Sequence, residues 1–118
     1  MNQKAEELNM NATNFDEPTG LSFLNQSTVN DLTKLVNYIY RRHPRILEIN
    51  REKEIIISDL NSGLKKKYIN ANQFAGQPDF IGGKSGYIEV SENNLISLFE
   101  KQGKPYRNKS GGGETGFD

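Results

Sequence analysis

One apolar stripe of helical period, cut short by a proline, governs what this chain can become. Val29, Leu32, Val36 and Ile39 recur at i, i+3, i+7 and i+10, with Leu35 beside them, so they share one face of a helix. Ser27 stands ahead of the stripe as its expected N-cap. Arg41 and Arg42 suit the negative end of the helix dipole. Pro44 stops the helix and is placed to open a short helical turn through Glu48. Past that point the helical period is lost. Residues 53–58 contain Ile55-Ile56-Ile57, a β-branched run that reads as a strand. Residues 84–90 alternate as a strand does, and residues 94–101 read as another. Helical segments thus come first and short strands follow.

The remaining segments are polar. Residues 2–8 read as the last turns of a helix, with Asn9 where a left-handed cap belongs. Asn11 to Ser27 is loop, with Pro18-Thr19-Gly20 as a turn signal. Residues 70–83 look loop-like, and Lys65-Lys66-Lys67 reads as a solvated basic loop. Gly103-Lys104 reads as a hairpin turn. The segment after it is too polar for a returning strand, and residues 105–118 read as a polar, Gly-rich disordered tail.

The 118 residues allow one small domain. Leu, Ile, Val and Phe make up 29 of them, above the ~20% floor associated with disorder, so a thin core is affordable. Fifteen Lys and Arg balance fifteen Asp and Glu, which argues against nucleic acid held by bulk electrostatics. The absence of Cys and the single His, His43, exclude thiolate and multi-His metal sites and leave one base for any Ser-His-Asp triad. No cofactor or metal is expected. No apolar run approaches the ~18–20 residues of a membrane span. Met1 to Met10 has no apolar signal region, so the chain as written is expected in the cytoplasm.

The chemistry concentrates in Gly82-Gly83-Lys84-Ser85-Gly86-Tyr87. A phosphate-binding loop is excluded, because Pro78 stands where that motif needs Gly and a strand follows where it needs a helix. A Lys-Ser/Thr-Gly triplet on a strand is instead the third signature of penicillin-recognising serine enzymes. The ammonium supplies positive charge, the hydroxyl can bond a substrate carboxylate, and Gly lets the backbone approach a ligand closely. An N–H just beyond can serve an oxyanion hole.

The triplet has company. Asn14-Phe15-Asp16-Glu17-Pro18-Thr19-Gly20-Leu21-Ser22, the 25–35 helix start, His43-Pro44-Arg45-Ile46-Leu47-Glu48-Ile49, the Lys-Ser-Gly strand and Asn94-Leu95-Ile96-Ser97-Leu98 follow one another in fixed order. Across residues 2–104 that series resembles the serine-type D-alanyl-D-alanine carboxypeptidases, the low-molecular-mass penicillin-binding proteins of peptidase family S11. The resemblance implies part of a penicillin-binding, β-lactamase-like transpeptidase domain, an α/β (α+β) fold with helices packed on an antiparallel sheet. It gives Lys84 a role in binding the substrate carboxylate and in proton relay, Ser85 a hydroxyl for the same carboxylate, Gly86 the place of the motif's small substrate-binding residue, and the Tyr87 backbone N–H a place in the oxyanion hole. Ile88 departs from the family's usual Thr. The implied partners are D-Ala-D-Ala stem peptides of peptidoglycan and β-lactams, and the implied location of the full family protein is the cell envelope.

The family's nucleophile and Ser-x-Asn motifs would precede Met1, so the chain is expected to be a C-terminal piece of the domain, inactive alone. Ser62-Gly63-Leu64-Lys65 and Ser91-Glu92-Asn93 carry those spacings, but the first reads as a turn and the second follows the Lys-Ser-Gly strand in the wrong order. The alternative is a non-catalytic peptide- or carboxylate-binding module, or an inactive remnant of the fold.

Overall fold

The computed structural model describes residues 1–101, 104–109 and 112–116, the last two stretches as backbone only. Three helices precede all the strands: α1 (Asn2–Glu7), α2 (Val29–Arg42) and α3 (Pro44–Asn50). A hairpin of β1 (Glu54–Ser58) and β2 (Lys65–Ile69) comes next. A second sheet follows in the order β3-β4-β5-β6, formed by Phe80–Ile88, Glu92–Lys101, Lys104–Lys109 and Gly112–Gly116. Every pairing is antiparallel. Among the described residues no helix is long and apolar enough to cross a membrane.

Asn9 ends α1 as expected, with φ of +57°. The Met10 N–H reaches the Ala5 carbonyl at 2.8 Å and the Asn9 N–H the Glu6 carbonyl at 2.9 Å, the paired bonds of a Schellman cap. Met10 is thereby turned into the interior, where it is buried.

The α2 cap is one residue later than Ser27. Thr28 is the N-cap, and its hydroxyl accepts the Asp31 N–H at 3.2 Å. The Ser27 hydroxyl instead meets that of Thr13 at 2.7 Å. Asp31 is buried, and its carboxylate takes the Ala12 N–H at 2.9 Å and the Thr13 hydroxyl at 2.7 Å. The Thr13 bond is the main reason its carboxyl is held below the usual range. The carboxylate thus ties the loop before α2 to the helix's first turn.

Pro44 ends α2 and begins α3, which runs two residues beyond Glu48. Leu47 of α3 meets Leu98 of β4, with Val36, Ile39 and Ile81 packed around them. Burying each leucine contributes about 1.5–3 kcal/mol. On the opposite face of the sheet Phe74, Phe80 and Phe99 pack with ring centroids 5.1–6.3 Å apart. This core is small.

Three segments differ from expectation. Lys65-Lys66-Lys67 is strand β2 rather than a loop, because each lysine sits opposite a residue of β1. β3 begins at Phe80, inside the expected loop. Residues 104–109 and 112–116 extend the sheet instead of forming a tail. Pairing uses the N–H and C=O groups of β4's free edge, which a polar sequence supplies as well as an apolar one. Of the expected hairpin turn Gly103-Lys104, Lys104 is the first residue of β5 and Gly103 lies outside the described residues. Positions 110, 111, 117 and 118 lie outside them too.

Candidate active-site edge

The Lys-Ser-Gly triplet lies on β3, which hydrogen-bonds to β4 on one side and ends the sheet on the other. Two glycines allow the strand to lie where it does. A Cβ on Gly82 would come within 3.0–3.1 Å of Leu47, including that residue's Cα, so Gly82 admits α3 onto the sheet. A Cβ on Gly83 would fall 2.4 Å from the Ile96 carbonyl oxygen and 3.0 Å from the Asn72 amide nitrogen. Gly86 is different, with no atom within 4 Å of its added Cβ. Its bareness serves the open side of the strand.

Register assigns the faces. Lys84 pairs with Ile96 and Gly86 with Asn94, whereas Ser85 pairs with Leu95 and Tyr87 with Asn93. Side chains alternate along a strand, so Lys84 and Ser85 leave from opposite faces. A cavity of about 370 Å³ lies between the 15–27 loop and β3, bounded by Phe15, Ser22, Leu32, Gly86 and Ile88. A second, of about 590 Å³, is bounded by Asn72, Gln73, Ser85, Tyr87 and Leu95. Gly86, Tyr87 and, across on β4, Asn94 line both. Lys84 is exposed, and its ammonium donates to the Ser85 carbonyl oxygen. The four residues expected in the site are therefore contiguous along one open edge.

The loop that faces β3 is organised by Glu17. Its carboxylate accepts from the Thr19 hydroxyl, the Thr19 and Ser22 N–H groups and the Asn25 amide. These bonds, the Thr19 hydroxyl foremost and the Ser22 N–H next, pull its pKa down to about 2. Asn25 reciprocates by accepting the Asp16 N–H at 2.7 Å and the Glu17 N–H at 3.2 Å. Sequence reading singled out neither residue as an organiser, nor the buried Asn72 beside Gly83. In a chain with fourteen Asn, one more carries no local signal.

The other spacings lie elsewhere. Ser62 lies in the β1–β2 turn, where Gly63 has φ of +70° and the Ser62 N–H is held by Asp59, and Lys65 opens β2. Ser91 and Asn93 flank Glu92, which opens β4 with φ of +54°. His43 joins α2 to α3 with its Nε2 3.2 Å from the Tyr38 hydroxyl.

This arrangement of helices and antiparallel sheets is that of the penicillin-binding protein and carboxypeptidase fold. The crystal structure of D-alanyl-D-alanine carboxypeptidase from Mycobacterium tuberculosis H37Rv superposes with a TM-score of 0.78 at 21% identity, covering 99% of this chain and 44% of that one. A penicillin-binding protein homologue from the same organism gives 0.77 at 21% identity, covering 98% and 43%. The family described as D-alanyl-D-alanine carboxypeptidase, peptidase S11, matches residues 1–107. The chain belongs to this family. Among curated relatives, the D-alanyl-D-alanine endopeptidase of Escherichia coli K12 is 40% identical over 107 residues, covering 89% of this chain and 34% of its own. That of Haemophilus influenzae Rd is 34% identical over 101 residues, covering 83% and 33%. The chain spans about a third of the length of these two relatives.

Proposed function

We propose that residues 1–104 are the C-terminal part of the catalytic domain of a serine-type D-Ala-D-Ala peptidase, supplying the Lys-Ser-Gly wall of its cleft. The observation that carries this reading is the open edge of β3, where Lys84, Ser85, Gly86 and Tyr87 stand in sequence with one side unpaired and cavities on both faces. On this reading the nucleophilic serine belongs to a Ser-x-x-Lys segment outside the 118 residues. Its hydroxyl oxygen attacks the carbonyl carbon of the penultimate D-Ala, the C–N bond breaks, and the amine leaves with a proton. Water then hydrolyses the ester. Lys84 provides positive charge and a route for that proton. Ser85 donates its hydroxyl hydrogen to the substrate carboxylate. Gly86 keeps the edge clear for the substrate backbone, and the Tyr87 N–H stabilises the oxyanion.

The substrates are D-Ala-D-Ala stem peptides of peptidoglycan, with β-lactams as acylating analogues and the cell envelope as the place of action. The names of the two curated relatives favour cleavage between residues over release of a terminal one.

The test is acylation. The chain alone, incubated with a β-lactam and weighed intact, is expected to gain no adduct, since oxyanion stabilisation and binding without a nucleophile leave only a small residual activity. Fused behind the Ser-x-x-Lys and Ser-x-Asn segment of the Escherichia coli relative, it is expected to be acylated and to cleave a D-Ala-D-Ala peptide, and Lys84→Ala is expected to suppress both. An adduct on Ser62 in the chain alone would make this a minimal enzyme and overturn the assignment. A folded fusion indifferent to Lys84→Ala would favour the binding-module alternative.

A further inference from the structure

The β1–β2 hairpin makes an unusual use of apolar residues. Every side chain of both strands is exposed. Ile55, Ile56, Ile57, Tyr68 and Ile69 are each about half exposed or more, and the turn carries Leu60 at 99% and Leu64 at 72%. The hairpin is held at its base, where the Asn70 amide donates to the Asn50 and Glu52 carbonyls at 2.8 and 2.9 Å. Beyond that base it projects as a blade. A cluster of exposed apolar side chains this large marks an interaction surface.

The charges say what kind. Lys65, Lys66 and Lys67 occupy the three rungs behind the turn, opposite Ser58, Ile57 and Ile56. Glu54 pairs with Lys67 at 3.2 Å, and Asp59 is engaged by the turn's own Asn61 and Ser62 N–H groups. The Lys66 ammonium lies 5.1 Å from the Tyr68 ring centroid, and the hairpin retains a net positive charge. Apolar and lysine side chains occur on both faces: Ile55, Ile57, Lys66 and Tyr68 on one, Ile56, Ile69, Lys65 and Lys67 on the other. A protein partner would cover one face. A medium that surrounds the blade satisfies both.

We propose that this hairpin is a docking element for an anionic lipid surface. Leu60 and Leu64 enter the acyl boundary tip first, and the lysine rungs behind them lie at the level of the phosphates. Three rungs at ~3.3 Å per residue span roughly 7 Å, comparable to the ~5–10 Å to which interfacial elements sink. The lysines stretch outward while their methylene stems cover apolar surface. This inference does not depend on the peptidase assignment, since none of its residues belongs to β3.

The experiment is co-sedimentation of the full chain with vesicles of phosphatidylglycerol and phosphatidylcholine in equal parts, against vesicles of phosphatidylcholine alone. Binding is expected to the anionic vesicles, to weaken as salt rises, and to be absent from the neutral ones. Replacing Leu60 and Leu64 together by Asp is expected to weaken partition about a hundredfold. Changing the three lysines to Gln is expected to do the same, at about fivefold per lysine. Both sets lie on exposed positions, and circular dichroism establishes that the variants keep the fold. No binding to anionic vesicles at low salt overturns the proposal, as does binding that both folded variants retain. A Leu60- and Leu64-dependent dimer in sedimentation velocity, without vesicle binding, assigns the blade to a second copy and overturns it as well.

Discussion

The three glycines around the Lys-Ser-Gly triplet are expected to respond to alanine in a fixed order. In Gly83→Ala the new methyl would sit 2.4 Å from the Ile96 carbonyl oxygen, about an ångström inside ordinary contact, with the Asn72 amide at 3.0 Å and the Ser97 Cα at 3.3 Å. Two of these three neighbours are backbone atoms of the paired strand, so relief requires bending β3 away from β4. Overpacking of this kind costs about 1–3 kcal/mol, and a backbone clash belongs at the upper end. Gly82→Ala meets Leu47 at 3.0–3.1 Å. There α3 can shift by a few tenths of an ångström, which places the cost nearer ~1–2 kcal/mol. Gly86→Ala meets nothing within 4 Å and relieves the unfolded chain of glycine's freedom, so its stability is expected to stay level or rise by about 0.5 kcal/mol. Urea unfolding followed by circular dichroism reads all three, with an unchanged m-value as the sign that stability alone has moved. Gly86→Ala is further expected to lose acylation in the fusion while keeping its unfolding midpoint. The reasoning is refuted if Gly83→Ala unfolds within about 0.5 kcal/mol of the parent, or if Gly86→Ala proves the most destabilising.

Two further outcomes are expected. Glu17 has a folded pKa of about 2 against an ordinary 4.5, so the folded state binds fewer protons than the unfolded one between those values. Its contribution is therefore present above pH 4.5 and lost as pH falls towards 2; the unfolding midpoints of the parent and Glu17→Gln should differ at pH 6 and converge near pH 2. Thr28→Ala removes the hydroxyl that caps α2 and is expected to cost about 1 kcal/mol, with faster amide exchange at Asp31 as the local readout.

What the sequence disclosed and what it concealed divide along physical lines. The α2 stripe, the Asn9 cap and the strand character of 84–88 and 94–101 were legible because periodicity and left-handed geometry are local properties, whereas Glu89 and Val90, expected in the first strand, belong to the turn after it. The choice between Ser27 and Thr28 as cap was not, since both offer a hydroxyl and the decision lies in which one reaches the Asp31 N–H. β2 concealed itself because all five of its side chains face water, leaving no alternation to detect. Residues 104–109 and 112–116 were hidden for a related reason, as their place in the sheet is a matter of backbone pairing. Gly82 and Gly83 looked like loop because a glycine advertises nothing. Their close packing follows from Leu47 and Asn72, which are distant in sequence. The order of residues along the candidate edge was readable, and so was the division of Lys84 and Ser85 between two faces, which alternation along any strand dictates; the partners across the sheet needed the register.

The open side of β3 also bears on solubility. Strands that end a sheet usually discourage intermolecular pairing with a proline, a bulge or a crowd of charges, because their free N–H and C=O groups will template another chain. On the proposed function β3 keeps the stretch around Gly86 clear, so most of those devices are denied to it there. Lys84 is the charged side chain that remains on this strand, exposed and folded back on the Ser85 carbonyl. It is positioned to act as a gatekeeper against self-association, beside the role in chemistry proposed for it. An apolar replacement at Lys84 would leave a bare, uncharged ribbon ready to stack with its own kind, and loss of activity in such a variant would need to be separated from loss of dispersed protein.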